Sequence, residues 1–264
     1  MKKNKKSIAL INYANSEFTQ SQRLNSKTGL KKGGVSKVIS YSLDDIDTEF
    51  YAQNHKILNS KKGDGYWLWK PYFIKKTLES ISWGDYVFYC DSGSYFIKSL
   101  KLFTEINQDI IPFELPYIEK AYTKRDVFII LDCDDKKYTN TKQRLAGYSL
   151  WKKTPFSMKF IDEWLHFSKD DRCISDINNV MGKPNYKEFK DHRHDQSIFS
   201  VLTKKYNLLA YRDPSQWGNK DIKTYKSTSF YPQIIVSTRQ RNISLSRKIK
   251  NILLRIKNTL KTKC

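Results

Sequence analysis

Apolar residues recur in this chain with two different spacings, and their alternation lays out the elements. Residues 7–13, with Ile8-Ala9-Leu10-Ile11 at their centre, form an almost unbroken apolar run of the length of a buried strand. Gly33-Gly34 turns into a second run at 35–41, and 86–89 is a third, β-branched and aromatic. The polar stretch between the first two can hold a helix around 19–25. Residues 44–58 read as a helix, and so do 71–82, where Pro71 fits a first turn. Strand, helix, strand in this order predicts a mostly parallel sheet with crossover helices. Further along come a helix at 99–104 and an extended segment at 108–118 interrupted by Pro112 and Pro116. A helix start capped by Thr123 precedes Val127, and a strand at 143–153 carries Gly147 inside it. Residues 155–167 are strongly amphipathic, with Phe156, Phe160, Ile161, Trp164 and Leu165 on one face. A polar connection at 170–187 leads to an apolar helix beginning near Asp195.

Charge changes this picture at the ends. The net charge of +21 comes from 48 Lys and Arg against 27 Asp and Glu. Residues 222–264 hold eleven of the basic residues and no acid, and residues 2–6 hold four more, so the body is only mildly basic. Such ends suit an anionic membrane face or a nucleic acid. Leu245, Ile249, Ile252, Leu253, Ile256 and Leu260 fall on one helical stripe with Lys and Arg around it, the pattern of a basic amphipathic interfacial helix. We therefore divide the chain into a main α/β domain at 1–237 and a membrane-associating tail at 238–264. Cys90, Cys133, Cys173 and Cys264 form no Cys-x-x-Cys pair, which argues against a zinc knuckle or disulfide framework and fits a reducing cytoplasm. No apolar run approaches the roughly 18 residues of a membrane span.

Candidate chemistry gathers at three places. The third strand runs into Cys90-Asp91-Ser92-Gly93, which puts a carboxylate where open α/β sheets form their ligand crevice, with a glycine beside it. Asp91 is a hard oxygen ligand suited to Mg²⁺ or Mn²⁺ carrying a diphosphate. An Asp-Ser-Gly turn with no ligand is the plainer reading. Lys70 lies among Trp67, Trp69 and Tyr72 and needs either an anionic partner or a route to solvent. His192-Arg193-His194-Asp195-Gln196 crowds polar groups at a helix start, where they can face an anion or a metal. Asp132-Cys133-Asp134 is a second Asp-x-Asp, which literal motif matching would favour as the metal site, but it follows a segment that reads as helix, and Lys136-Lys137-Tyr138 after it looks solvated.

Together, Gly65-Tyr66-Trp67-Leu68-Trp69-Lys70-Pro71-Tyr72, Tyr89-Cys90-Asp91-Ser92-Gly93 and His192-Arg193-His194-Asp195-Gln196-Ser197-Ile198 resemble bacterial capsule or lipopolysaccharide glycosyltransferases of the GT-A kind. Asp195-Gln196-Ser197-Ile198 is similar to the Asp-Gln segment of family-8 retaining galactosyltransferases. Two departures stand out: Gly93 occupies the place of the second acid of their Asp-x-Asp, and no late His-x-x-Gly-x-x-Lys follows Asp195. The resemblance implies a Rossmann-like α/β domain, its sheet flanked by helices, that takes a nucleotide-diphosphate sugar with Mn²⁺ or Mg²⁺. It implies Asp195 and Gln196 as catalytic residues. Asn12, Tyr13, Lys70, Asp91, Gly93 and Arg193 would contact the donor, Gln143 and Gly147 the acceptor, and Asp91, His192 and His194 the metal. The acceptor would be a glycan or a lipid-linked saccharide, met by a protein peripheral on the cytoplasmic face of the plasma membrane. Inversion and retention both stay open. A nucleic-acid binder or metal nuclease, prompted by the charge, and a non-catalytic sugar binder, prompted by Gly93, are the other readings.

Overall fold

The computed structural model describes residues 6–218 and 229–238. Its elements, in chain order, are β1 (Ile8–Tyr13), α1 (Thr19–Thr28), β2 (Lys37–Tyr41), α2 (Thr48–Leu58), α3 (Trp69–Ser80), β3 (Tyr86–Cys90), β4 (Ser94–Phe96), β5 (Ile110–Ile118), α4 (Arg125–Ile130), β6 (Lys142–Lys152), α5 (Pro155–Ser168), α6 (His194–Lys205), β7 (Tyr211–Arg212) and β8 (Ile235–Ser237). A six-stranded sheet runs in the order β2-β1-β3-β6-β5-β7. β1 pairs in parallel with β2 and β3, and β7 with β5; β6 is inserted antiparallel to both β3 and β5. The α/β architecture is thus the expected one, with three of five pairings parallel. The tail stripe lies outside the described residues.

β1 and β3 are buried along their whole lengths because helices or short segments cover both sheet faces. Side chains alternate strictly between two cores. Ala9, Ile11, Tyr13, Val87 and Tyr89 face one core, shared with Phe73 and Leu78 of α3, Phe160 and Trp164 of α5 and Phe199 of α6. Ile8, Leu10, Tyr86, Phe88 and Cys90 face the other, against Phe96, Phe103, Phe113 and Ile235. Several expectations shift in detail. The strand awaited at 35–41 starts at Lys37, and the helix awaited at 99–104 is a short 3₁₀ turn, Lys101–Glu105. Thr123 does not cap the following helix: Lys124 takes the cap position, and the Thr123 hydroxyl donates to buried Glu119 (2.5 Å). β4 and β8 pair as a small second sheet, which ties the stretch after Asp91 to residues 139 to 143 positions later.

Candidate active site

The alternation that sorts the core also aims Asp91. Two residues beyond Tyr89, it keeps the same face, and the Tyr89 hydroxyl donates to its Oδ1 (2.6 Å). Asp91 continues the ladder by donating its N–H to the Gly147 carbonyl (2.9 Å). A Cβ on Gly147 would lie 2.8 Å from Asp91 Oδ2, so the glycine inside β6 is what leaves room for this carboxylate. The turn after Asp91 is fixed at three points. Ser94 N–H bonds back to the Asp91 carbonyl (3.1 Å), Ser92 Oγ donates to the Tyr13 carbonyl at the end of β1 (2.5 Å), and the Gly93 carbonyl accepts from both N–H and Oγ1 of Thr238 (2.8 Å each).

Lys70, in the first turn of α3, is buried at 4% exposure. Its ammonium lies 2.8 Å from Asp195 Oδ2 and 4.0 Å from Asp91 Oδ1, over the rings of Trp69 and Tyr89. Its anionic partner thus stands 125 positions away, in the first turn of α6, whose backbone is pinned by Trp164 Nε1 donating to the Asp195 carbonyl (3.0 Å). Burial pushes the Asp195 carboxyl up to about 6, Lys70 draws it down, and nearby Asp91 pushes it up again. The Asp91 side chain, by contrast, is half exposed. One sequestered ammonium therefore stands between a buried carboxylate and an open one, at the carboxyl ends of the parallel strands β1 and β3. A concavity of about 190 Å³ lined by Ser7, Lys37 and Asp85 lies at the opposite ends of these strands, away from this chemistry.

A left-handed turn at 63–67 leads the chain into the helix that carries Lys70. Gly63, Asp64, Gly65, Tyr66 and Trp67 all have positive φ, a left-handed path that costs a non-glycine residue about 1–2 kcal/mol. It is held by Trp69 Nε1 to the Gly63 carbonyl (2.9 Å), and by Tyr13 Oη (2.9 Å) and Asn15 Nδ2 (3.1 Å), both donating to Asp64 Oδ2. The Tyr13 ring stacks on Trp69 with centroids 3.8 Å apart. Asp64, not among the candidates above, is thereby tied to the end of β1; the Gly-Asp-Gly spacing was its signal.

No protein-family model and no curated protein matches the chain. Among solved structures it is similar to the apo form of mouse xyloside xylosyltransferase 1, at 9% identity and a TM-score of 0.48, with 89% of this chain and 97% of that one covered. It is also similar to apo WbbM, a bifunctional glycosyltransferase, at 9% identity and a TM-score of 0.49. That match covers 90% of this chain and 46% of WbbM, so the chain spans less than half of WbbM's length.

The remaining candidates divide by burial. Asn12 is enclosed, its amide donating to Asn25 Oδ1 (2.8 Å) and Ser26 Oγ (2.9 Å), so it braces the end of β1 from within. Gln143, awaited at the acceptor, has no exposed surface; its amide donates to Glu119 and the Tyr122 carbonyl, and it is an internal strut. Gln196 spans from Ala146 N–H, which it accepts (3.2 Å), to Gln143 Oε1, to which it donates (2.9 Å), fixing α6 on β6. Gly147 is buried beneath Asp91. Arg193 turns aside from Lys70 and lies over the rings of Tyr117 and Tyr122.

The two histidines do not form a ligand set with Asp91. His192 uses both ring nitrogens, at the Cys173 carbonyl (2.8 Å) and Lys124 N–H (3.4 Å), and His194 Nδ1 donates to the Ile174 carbonyl (2.7 Å). Burial holds both well toward the neutral form. Among the described residues no three His, Cys, Asp or Glu come together as a metal site. Asp134 of the second Asp-x-Asp is occupied by Arg125, Lys183 and Tyr186.

Proposed function

We propose that the chain is a glycosyltransferase that moves a sugar from a nucleotide-diphosphate sugar to a saccharide acceptor. The observation that carries this reading is the Lys70 ammonium, buried against Asp195 and within 4.0 Å of the open Asp91. Departure of a nucleoside diphosphate leaves negative charge, and a preorganised cation in a dry site offsets it at little reorganisation cost. The sugar left behind has oxocarbenium character, which an ionised carboxylate across the crevice stabilises. Asp195 fills that role above its titration near 6. Lys70 keeps it charged despite burial, and Tyr89 and Gly147 hold Asp91 in line. Asp91, the open carboxylate of the pair, suits a divalent metal; Mg²⁺ or Mn²⁺, when bound, would neutralise phosphate charge there. Tyr13 and Trp69, stacked on each other and buried beside Asp64, brace the turn that leads into Lys70.

A capsule or lipopolysaccharide acceptor, lipid-linked on the inner membrane face, is the finer part of the proposal. It is supported by the basic stripe at 245–260 and by the sequence resemblance. A screen of UDP-, GDP- and CMP-linked sugars for hydrolysis and transfer, with and without Mn²⁺, tests the reading. One donor should turn over, and Lys70→Met should lose at least about a hundredfold in kcat, since a charge-assisted contact in a buried site is worth about 3 kcal/mol or more. A folded protein that binds and cleaves none of them ends the proposal.

A further inference from the structure

We infer that Arg193, Tyr117 and Tyr122 form a second subsite, beside the carboxylates, for an anionic group (carboxylate or phosphate) on the acceptor saccharide. The inference rests on the proposed transfer reaction for its location and on Arg193 for its chemistry. The guanidinium carbon lies 4.9 Å from the Tyr117 ring centroid and 4.2 Å from that of Tyr122. Face-on stacking leaves the in-plane N–H fork of an arginine free, and that fork matches a carboxylate or phosphate edge. Among the described residues the guanidinium makes no hydrogen bond or ion pair; Arg193 is bonded through its backbone N–H to Ser197 Oγ and the Tyr122 carbonyl.

Three acids of the neighbouring segments are already engaged. Glu114 pairs with Lys142 and Arg144, Glu119 is buried against Lys204, Thr123 and Ser200, and Glu188 pairs with Lys120. Asp191, two residues before Arg193, is an exposed acid, and among the described residues it makes no ion pair with the guanidinium. Tyr117 and Ile118 beside it are 40% and 50% exposed, on the part of β5 beyond its short pairing with β7. An aromatic ring next to an open arginine fork suits a sugar carrying an acid.

Position separates this shelf from the donor. Asp195 reaches toward Lys70 and Asp91, whereas Arg193, two residues earlier, reaches toward the end of β5. The Tyr122 carbonyl that accepts from Arg193 also accepts from Gln143, four residues along β6 from the Gly147 that seats Asp91. Four strand positions span about 13 Å, so the fork flanks the reacting centre instead of entering it.

The test is a ligand-observed NMR titration of the full chain with p-nitrophenyl glucoside, its glucuronide and its 6-phosphate, and separately with UDP and GDP. The wild type should bind at least one anionic glycoside about tenfold tighter than the neutral one, and the two anionic arms tell a carboxylate from a phosphate. Arg193→Gln should erase that preference, Arg193→Lys should restore part of it, and Tyr117→Ala should weaken all three glycosides. Equal binding of neutral and anionic glycosides by the wild type, or a preference that survives Arg193→Gln in a protein of unchanged melting temperature, overturns the subsite. A loss confined to nucleotide binding in Arg193→Gln also overturns it, by moving Arg193 to the donor. If the glycoside preference holds while no nucleotide binds, the subsite stands and the transferase reading falls.

Discussion

Asp195 concentrates the chemistry of the site into one titration. Its carboxyl is raised from an ordinary value near 3.8 to about 6, chiefly by burial. The folded state therefore holds this proton more tightly than the unfolded chain does. The associated stability is fully present below the ordinary value and is lost as pH rises through about 6. Two units correspond to about 3 kcal/mol. Urea midpoints of wild type and Asp195→Asn, measured from pH 4 to 7, should diverge in that window, with the wild type losing ground relative to the variant as pH rises. The kcat/KM of the wild type should climb over the same interval, because the ionised form is the useful one. A rising limb that persists unchanged in Asp195→Asn would assign the titration to another group. Gly147 makes a sharper point at the same scale. An added methyl would meet Asp91 Oδ2 at 2.8 Å, the movable end of a side chain. Gly147→Ala should thus cost less than about 1.5 kcal/mol of stability, within the ordinary range for overpacking, while lowering kcat at least about tenfold by turning the carboxylate away. Equal activity in the two proteins would mean that the seat of Asp91 does not matter.

Among the elements, the left-handed turn at 63–67 is where strain and site coincide. Gly65 and Gly84 have φ of +94° and +84°, but their surroundings differ. A Cβ on Gly84 meets nothing within 4 Å, whereas one on Gly65 lies 2.7 Å from the Leu58 Cα, which is backbone. Gly84→Ala should cost about 1 kcal/mol, the conformational penalty alone, and Gly65→Ala about 3 kcal/mol or more by thermal denaturation. Gly65→Ala alone should also damage activity, since its turn leads into the helix that carries Lys70. Similar losses at both glycines would show that the turn is not packed as described. Gly63 and Gly65 marked a turn here, but its run of consecutive positive φ was not legible, because Tyr13, Asn15 and Trp69 hold it from outside. β1 and β3 were legible as apolar runs because both their faces are covered. β6 was legible as a strand with a glycine inside, but its reversed direction was not, since the side-chain pattern of a strand reads alike in either direction. β7 and β8, two and three residues long, carry too few side chains to leave a period.

Across the whole molecule, the site is assembled from distant stretches of sequence, and composition gave no hint of which ones meet. Lys70 was marked by its need for an anion, but only the packing of α5 against α6 brings Asp195 to it. His192 and His194 were marked by crowding, and the fold spends them on the carbonyls of Cys173 and Ile174. The closing piece is β8, where Ile234 and Ile235 are fully buried and Thr238 holds the Gly93 carbonyl. A chain ending at Thr238 should keep its melting temperature within a few degrees and, on the membrane-tail proposal, lose sedimentation with anionic liposomes. A chain ending at Gln233 should lose about 4 kcal/mol or more, because two buried isoleucines go with it. Undiminished liposome binding by the Thr238 form would remove the tail from the membrane proposal.

The clasp between Thr238 and Gly93 also sets an order in time. A chain leaves the ribosome amino end first, at about 5–20 residues per second, so β1, β3 and Asp91 emerge well before Thr238 is made. Until then the carbonyl after Ser92 lacks its two donors and the second sheet lacks a strand. The nascent protein can therefore build its main sheet while the turn after Asp91 is still unfinished, and Thr238, at the end of the described chain, completes that turn.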